Sequence, residues 1–121
     1  MINSISPMIG SKDPNTLADF YGKVLDVDPV YKDGEWTGYK IGNSYFMVGP
    51  HSEIKGKNTE PARVMFNIEV DDLPKEYDRI KNLGAKVIKE IGPAREGDDG
   101  DIGTFEDPDG NYFQLMATWE E

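Results

Sequence analysis

The alternation of apolar and polar residues predicts a strand, a helix and three more strands in the first half of the chain. Residues 5–9 are apolar-rich, as in a short strand. Asp13 and Pro14 predict a helix start, because an aspartate can accept hydrogen bonds at the cap and proline needs no N–H in the first turn. The strands predicted after the helix are residues 26–31, 36–41 and 45–48. One apolar stripe at helical spacing belongs to the helix: Leu17, Phe20, Tyr21, Val24 and Leu25.

The same order of elements returns in the second half. Asp72, followed by Pro74, predicts a second helix start, and Gly84 is typical of the residue that ends a helix. We therefore predict one domain over residues 1–121, with module 1 at 1–49, a polar linker at 50–62 and module 2 at 63–121. An acidic, glycine-rich loop interrupts module 2 at residues 92–101. The predicted strands of module 2 are residues 64–70, 86–91, 103–106 and 112–118.

Composition and charge narrow the possible functions. The chain has 13 Lys and Arg residues against 23 Asp and Glu residues, so its net charge is −10, which disfavours nucleic-acid binding. No cysteine is present, which excludes disulfides and thiolate chemistry. No apolar run approaches the ~20 residues of a membrane span, and residues 1–4 lack a signal-peptide layout. We therefore expect no membrane partner and a cytoplasmic location.

Four sequence features stand in a characteristic order: SKDPNTLADFYGKVL (residues 11–25), FNIEVDDL (66–73), LGAKV (83–87) and FEDPDGNYFQLM (105–116). Together they resemble the vicinal oxygen chelate superfamily, which includes glyoxalases, extradiol dioxygenases, fosfomycin-resistance enzymes and bleomycin-resistance proteins. The resemblance implies an α+β fold of two βαβββ modules. Their curved mixed sheets would surround a cleft, with the helices on the outer faces.

Alternation along the strands then predicts which side chains face the cleft. Phe113 and Leu115 are expected to pack on a helix, and so are Ile5 and Ile9. The strand register leaves a core location equally open for Trp36 and Tyr39, and no lysine or arginine is predicted to face inward. The predicted ligand-binding residues are Ser6, Met8, Trp36, Tyr39, Phe46, Met65, Asn67, Glu69, Tyr112, Gln114 and Met116.

The resemblance also implies where a metal would be held. Metal-using members of the superfamily place His or Glu at four inward positions, which here correspond to Ser6, Phe46, Met65 and Gln114. Hydroxyl, thioether and neutral amide groups are poor ligands for transition metals, which prefer imidazole or carboxylate. We therefore expect no metal, no cofactor and none of the metal-dependent chemistry. The only histidine, His51, lies in the predicted linker, so no catalytic residue is assigned.

The sequence thus favours a binding protein of the bleomycin-resistance type, an antibiotic-resistance function, which would hold a drug or metabolite with aromatic or cationic character. Two alternatives stay open: a metal-independent lyase or isomerase with Glu69 as general base, and a protein-interaction scaffold. The acidic loop at residues 92–101 is either a lid or a solvated loop. We expect a homodimer, because separate modules leave strand edges that a second copy would cover.

Overall fold

Each half of the chain folds into a four-stranded sheet with one helix against it. The structure, a computed structural model, describes residues 1–118. The chain divides into two units, Met1–Gly56 and Lys57–Glu121. The first contains β1 (Met8–Ser11), α1 (Pro14–Leu25), β2 (Tyr31–Asp33), β3 (Trp36–Ile41) and β4 (Ser44–Pro50). The second contains β5 (Phe66–Val70), α2 (Leu73–Asn82), β6 (Lys86–Gly92), β7 (Ile102–Glu106) and β8 (Tyr112–Ala117).

The strand order is the same in both units. The sheets run β1-β4-β3-β2 and β5-β8-β7-β6. In each sheet the strand before the helix pairs in parallel with the last strand of its unit, and the other pairs are antiparallel. This confirms the predicted α+β class with two βαβββ modules.

The apolar stripe of each helix forms the core of its unit. In the first unit, Leu17 and Tyr21 of α1 are fully buried, and the Tyr21 ring lies 4.8 Å from the ring of Phe46 on β4. In the second unit, Tyr77 of α2 stacks against Phe105 of β7 at 5.2 Å, and that ring contacts Phe113 of β8 at 5.6 Å. Burial of such aromatic surface is the main source of stability in small domains.

The first two strands begin later than predicted. The structure has β1 at Met8–Ser11 and β2 at Tyr31–Asp33, rather than at residues 5–9 and 26–31. Each strand starts after a proline, Pro7 or Pro29, which has no N–H to donate to a strand ladder. Ile5 therefore lies outside the strand and is 82% exposed, so the expectation that it packs on the helix is wrong.

The polar segment at residues 50–62 divides between the two units at Gly56. On the second unit's side, the backbone N–H of Asn58 donates to the Asp109 carbonyl at 2.8 Å. The Asn58 side chain also donates to the Asn111 side chain at 2.9 Å. These bonds hold the start of the second unit against the turn that precedes β8.

Within residues 1–118, neither helix is long and apolar enough to cross a membrane. The cytoplasmic location stays a prediction.

Candidate ligand-binding site

Each sheet has one face covered by its helix and an opposite face, which we call the open face. On β8 the side chains of Phe113 and Leu115 are fully buried on the helix side. Tyr112, Gln114 and Met116 alternate with them and are half-buried on the open face. The predicted orientation of β8 therefore agrees with the structure, whereas ligand binding by these residues stays a prediction.

A polar row crosses the open face of the second sheet. Asn67 on β5 pairs with Gln114 on β8, and Gln114 pairs with Thr104 on β7. The Gln114 amide donates to the Thr104 hydroxyl at 3.3 Å, which shows that both side chains lie on the same side. Sequence reasoning missed Thr104, because an isolated threonine in a short strand gives no signal of the face it occupies. Thr104 is 4% exposed and holds the Gln114 amide, so the accessible neutral hydrogen-bonding groups of the row are those of Asn67 and Gln114.

Glu69 lies on the β5 side of this face, and Met65 directly precedes the strand. Glu69 pairs with Met116 and is exposed, and Met65, just before the strand, is 37% exposed. A general base gains its activity from burial. Exposure of Glu69 removes the condition on which its assignment as a base depends.

An ammonium group also lies on this open face, contrary to the prediction that no lysine faces inward. Lys89 on β6 pairs with Thr104, and its Nζ lies 3.6 Å from the position that a Cβ on Gly92 would take. The Nζ donates to the Glu90 carbonyl at 3.2 Å. The reason is an irregularity in β6 between Val87 and Lys89, which shifts the alternation as a β-bulge does.

On the first sheet, Met8 lies on the open face as predicted, whereas Ser6 precedes β1 and its place on a sheet face stays a prediction. The Ser6 hydroxyl accepts a hydrogen bond from the Tyr45 N–H at 2.9 Å, just ahead of β1. Met8 pairs with Met47 of β4. Trp36 of β3 is on the same face and half-buried, with its indole ring against Gly49. Sequence reasoning missed Met47.

Tyr39 and Phe46 face the helix, so their predicted location on the ligand-facing side is wrong. Tyr39 is 4% exposed and donates its hydroxyl to the Ala18 carbonyl of α1 at 2.8 Å. Phe46 is 8% exposed and packs on Tyr21. Burial, and secondly the charge of Asp19, raises the pKa of Tyr39. For Phe46 the error is a shift of one residue in β4, which moves every side chain to the other face. For Tyr39 on β3 the structure selects the core location that the sequence had left open.

The acidic loop lies beside one end of the second sheet's open face. A surface depression of about 270 Å³ has three of the loop's aspartates on its rim, and Ile102 and Met116 among its lining residues. Asp98 is held by Arg95, whose backbone N–H and Nε donate to it at 3.1 and 3.3 Å. The depression therefore combines carboxylates with apolar and thioether groups. Its lining is Ala94, Asp98, Asp99, Gly100, Asp101, Ile102, Met116 and Ala117.

The donor groups at the metal positions implied by the fold do not fit a transition metal. Ser6 is a neutral hydroxyl that already accepts from Tyr45, and Gln114 is a neutral amide bonded to Thr104. Phe46 is in the core. Residues 1–118 contain no cluster of three His, Cys, Asp or Glu side chains able to hold a metal.

Two βαβββ modules, each with a sheet face opposite its helix that carries polar and thioether groups, are the architecture of the vicinal oxygen chelate superfamily. A family model described as a glyoxalase-like domain matches residues 7–116, nearly the whole chain. The chain belongs to this glyoxalase-like family. A comparison with curated proteins finds no match.

Solved structures share the fold over almost the full length. A glyoxalase-related enzyme from Fulvimarina pelagi is 16% identical, with a TM-score of 0.76, and the match covers 97% of this chain and 89% of that chain. The fosfomycin resistance protein FosX from Listeria monocytogenes is 21% identical, with a TM-score of 0.73 and coverage of 98% and 96%. A glyoxalase/bleomycin resistance protein/dioxygenase family enzyme from Burkholderia phytofirmans is 18% identical, with a TM-score of 0.74 and coverage of 94% and 97%.

Proposed function

We propose that this chain is a glyoxalase/bleomycin-resistance-like protein that binds a small organic molecule, a drug or metabolite, on the open faces of its sheets and without a metal. One observation carries the proposal. Apart from Met1, the chain has four methionines: Met8, Met47 and Met116 lie on an open face, and Met65 is exposed directly before β5. Flexible, polarisable thioethers adapt to apolar and aromatic ligands, and a sequence that needed only a core would place them under the helices.

The neighbouring polar groups suit recognition better than catalysis. Gln114, Asn67 and Ser6 are neutral hydrogen-bonding groups that orient a ligand without transferring protons. The alternative, a metal-independent lyase or isomerase, requires a base such as Glu69, and that side chain is exposed. Binding is therefore the stronger proposal.

We propose further that the ligand is aromatic and neutral or cationic. The acidic loop brings Asp99 and Asp101 to the rim of the depression beside Met116, and the chain carries a net charge of −10. The positive charge of Lys89, on the open face of the second sheet, weakens the preference for cations near that residue. Fields of one sign concentrate ligands of the opposite sign, and salt screens the effect over about 10 Å at 0.1 M.

A thermal-shift screen of aromatic cations, neutral compounds and anions, at low and high salt, tests the function. A compound at 100 times its Kd is expected to raise the free energy of unfolding by about 2.7 kcal/mol. The best compounds should be cationic or neutral, and the cations should lose affinity at high salt. A loop variant should lose this cation preference; it carries Glu96→Gln, Asp98→Asn, Asp99→Asn and Asp101→Asn.

The matched control removes the same number of charges from the first unit. Its substitutions, all at exposed positions, are Asp26→Asn, Asp28→Asn, Glu35→Gln and Glu53→Gln. If phosphorylated or carboxylated compounds bind best, the charge argument is wrong. If the loop variant and the control bind cations equally well at low salt, the loop takes no part in binding. If no compound in any class stabilises the protein, the binding function itself is contradicted.

Protein purified without chelator is expected to contain well under one equivalent of any transition metal. By contrast, a mutant of the Listeria monocytogenes FosX protein was crystallised with Mn(II) and 1S,2S-dihydroxypropylphosphonic acid. The difference is expected because Ser6, Met65 and Gln114 provide no imidazole or carboxylate. Metal analysis by mass spectrometry measures the content, and a stoichiometric metal that resists EDTA would show that other residues form a centre.

The protein is expected to form a homodimer at tens of micromolar. In their separate sheets, β1, β2, β5 and β6 are edge strands, and edge strands favour pairing or coverage by another surface. Sedimentation equilibrium should give about twice the 13.6 kDa mass of the chain. A single species at 13.6 kDa over that concentration range would contradict the prediction.

A further inference from the structure

The indole ring of Trp36 lies against Gly49. A Cβ placed on Gly49 would overlap the ring atoms Cε3, Cδ2 and Cζ3, so only glycine leaves room for the ring there. Met47 uses the neighbouring glycine in the same way, because its Sδ lies 2.5 Å from the position of a Cβ on Gly38. The two glycines thus allow a flat aromatic ring and a thioether to lie low on the open face of the first sheet.

An acidic residue is the cross-strand neighbour of Trp36. Trp36 pairs with Asp33 on β2, so their side chains lie on the same face of the sheet, and the Tyr31 hydroxyl donates to the Asp33 carboxylate at 3.4 Å. Lys40 lies further along β3, and its ammonium is 5.9 Å from the centre of the Tyr45 ring. The residue opposite Trp36 on β2 is therefore acidic, and the residue beneath its ring on β4 is a glycine.

We propose that Trp36 and Asp33 bind a planar organic cation, with Met47 as an apolar contact and with Gly49 and Gly38 as positioning residues. The indole lies against Gly49, and the side chain is half-buried, so part of it stays accessible to a ligand. A cation over an indole face is attracted by the ring quadrupole, and the carboxylate adds Coulomb attraction. This inference rests on the proposed function and names the ligand class for the first sheet.

Three two-ring compounds of similar size separate charge from shape: N-methylquinolinium, 2-naphthol and 2-naphthalenesulfonate. Calorimetric titration of the wild type should rank the cation first. Trp36→Leu and Asp33→Asn should each weaken N-methylquinolinium binding, by roughly tenfold for Trp36→Leu. Asp33→Asn should leave 2-naphthol binding unchanged, because that compound has no charge to lose.

Gly49→Ala tests the positioning role, with Gly56→Ala as its matched control, because a Cβ on Gly56 meets no atom within 4 Å. In a Trp119→Phe background Trp36 is the only tryptophan, since the chain has two. Gly49→Ala should then change the emission and acrylamide quenching of Trp36 and weaken cation binding to the level of Trp36→Leu. Gly56→Ala should change neither.

The outcomes separate this inference from the general function. If N-methylquinolinium binds the wild type, Trp36→Leu and Gly49→Ala equally, the ligand lies elsewhere, so the inference fails and the binding function stands. The inference also fails if 2-naphthol or 2-naphthalenesulfonate binds the wild type more tightly than the cation. If none of the three compounds binds, the inference is wrong, and the wider thermal-shift screen decides the proposed function independently.

Discussion

Asp107→Ala is expected to lower the free energy of unfolding by about 3 kcal/mol. The Asp107 carboxylate is 4% exposed and lies at the start of the turn before β8. Its Oδ1 accepts from the N–H groups of Asp109 and Asn111, both at 2.9 Å. Its Oδ2 accepts from the Asn111 side chain, also at 2.9 Å. Alanine would leave these donors without their acceptor, and hydrogen bonds to a charged group contribute about 1.5–3 kcal/mol each before relaxation.

The measurement is urea unfolding, with a lower midpoint and an unchanged m-value expected. Asp109→Ala is the matched control from the same turn, because the bonds of Asp109 are made by its backbone. This control should cost less than about 1 kcal/mol. Equal costs for the two variants would show that the carboxylate of Asp107 does not hold the turn.

Gly22→Ala is expected to destabilise the protein by about 2 kcal/mol. The same change in the interior of a helix normally stabilises it by up to about 1 kcal/mol. Here a Cβ on Gly22 would lie 2.7 Å from the hydroxyl oxygen of Tyr39, which is buried and bonded to the Ala18 carbonyl at 2.8 Å. The added methyl group must therefore displace the tyrosine or the helix.

A double-mutant cycle identifies the cause. Tyr39→Phe alone should cost about 1 kcal/mol through the lost hydrogen bond. In a Tyr39→Phe background, Gly22→Ala should cost clearly less, because the hydroxyl at 2.7 Å has gone and the nearest remaining atom is the ring carbon Cζ at 3.3 Å. If Gly22→Ala costs the same in both backgrounds, the clash is with something other than the hydroxyl.

Tyr39 also links stability to alkaline pH. Its pKa is raised above the ordinary value of 10.0, mainly by burial. The folded state therefore keeps a proton that the unfolded chain releases. The stability that this proton provides is fully present below pH 10 and is lost as the pH rises through the higher folded-state pKa. The Tyr39→Phe variant should lack this part of the alkaline decline.

The sequence by itself determined the order of the elements and the class of fold. The apolar residues of α1 and α2 recur at helical spacing within one short segment of sequence each, so local periodicity reveals them. The turn formed by Asp107, Gly110 and Asn111 has its own residue chemistry, and the structure shows Asp107 capping its backbone. The orientation of β8 was also predictable. Side chains alternate along a regular strand, so once one residue is placed on the helix side, the faces of the others follow.

Only the tertiary structure decided which side chains share a face where the register was open. Phe46 pairs with Tyr39 beneath α1, and Met47 takes the open face, although the sequence pattern fits either choice. Lys89 reaches its face through an irregularity in β6 that no alternation reveals. The physical reason is that a strand has a side-chain period of two. The register with the neighbouring strands, which for β4 include β1 at the start of the unit, therefore sets the face that local sequence leaves undetermined.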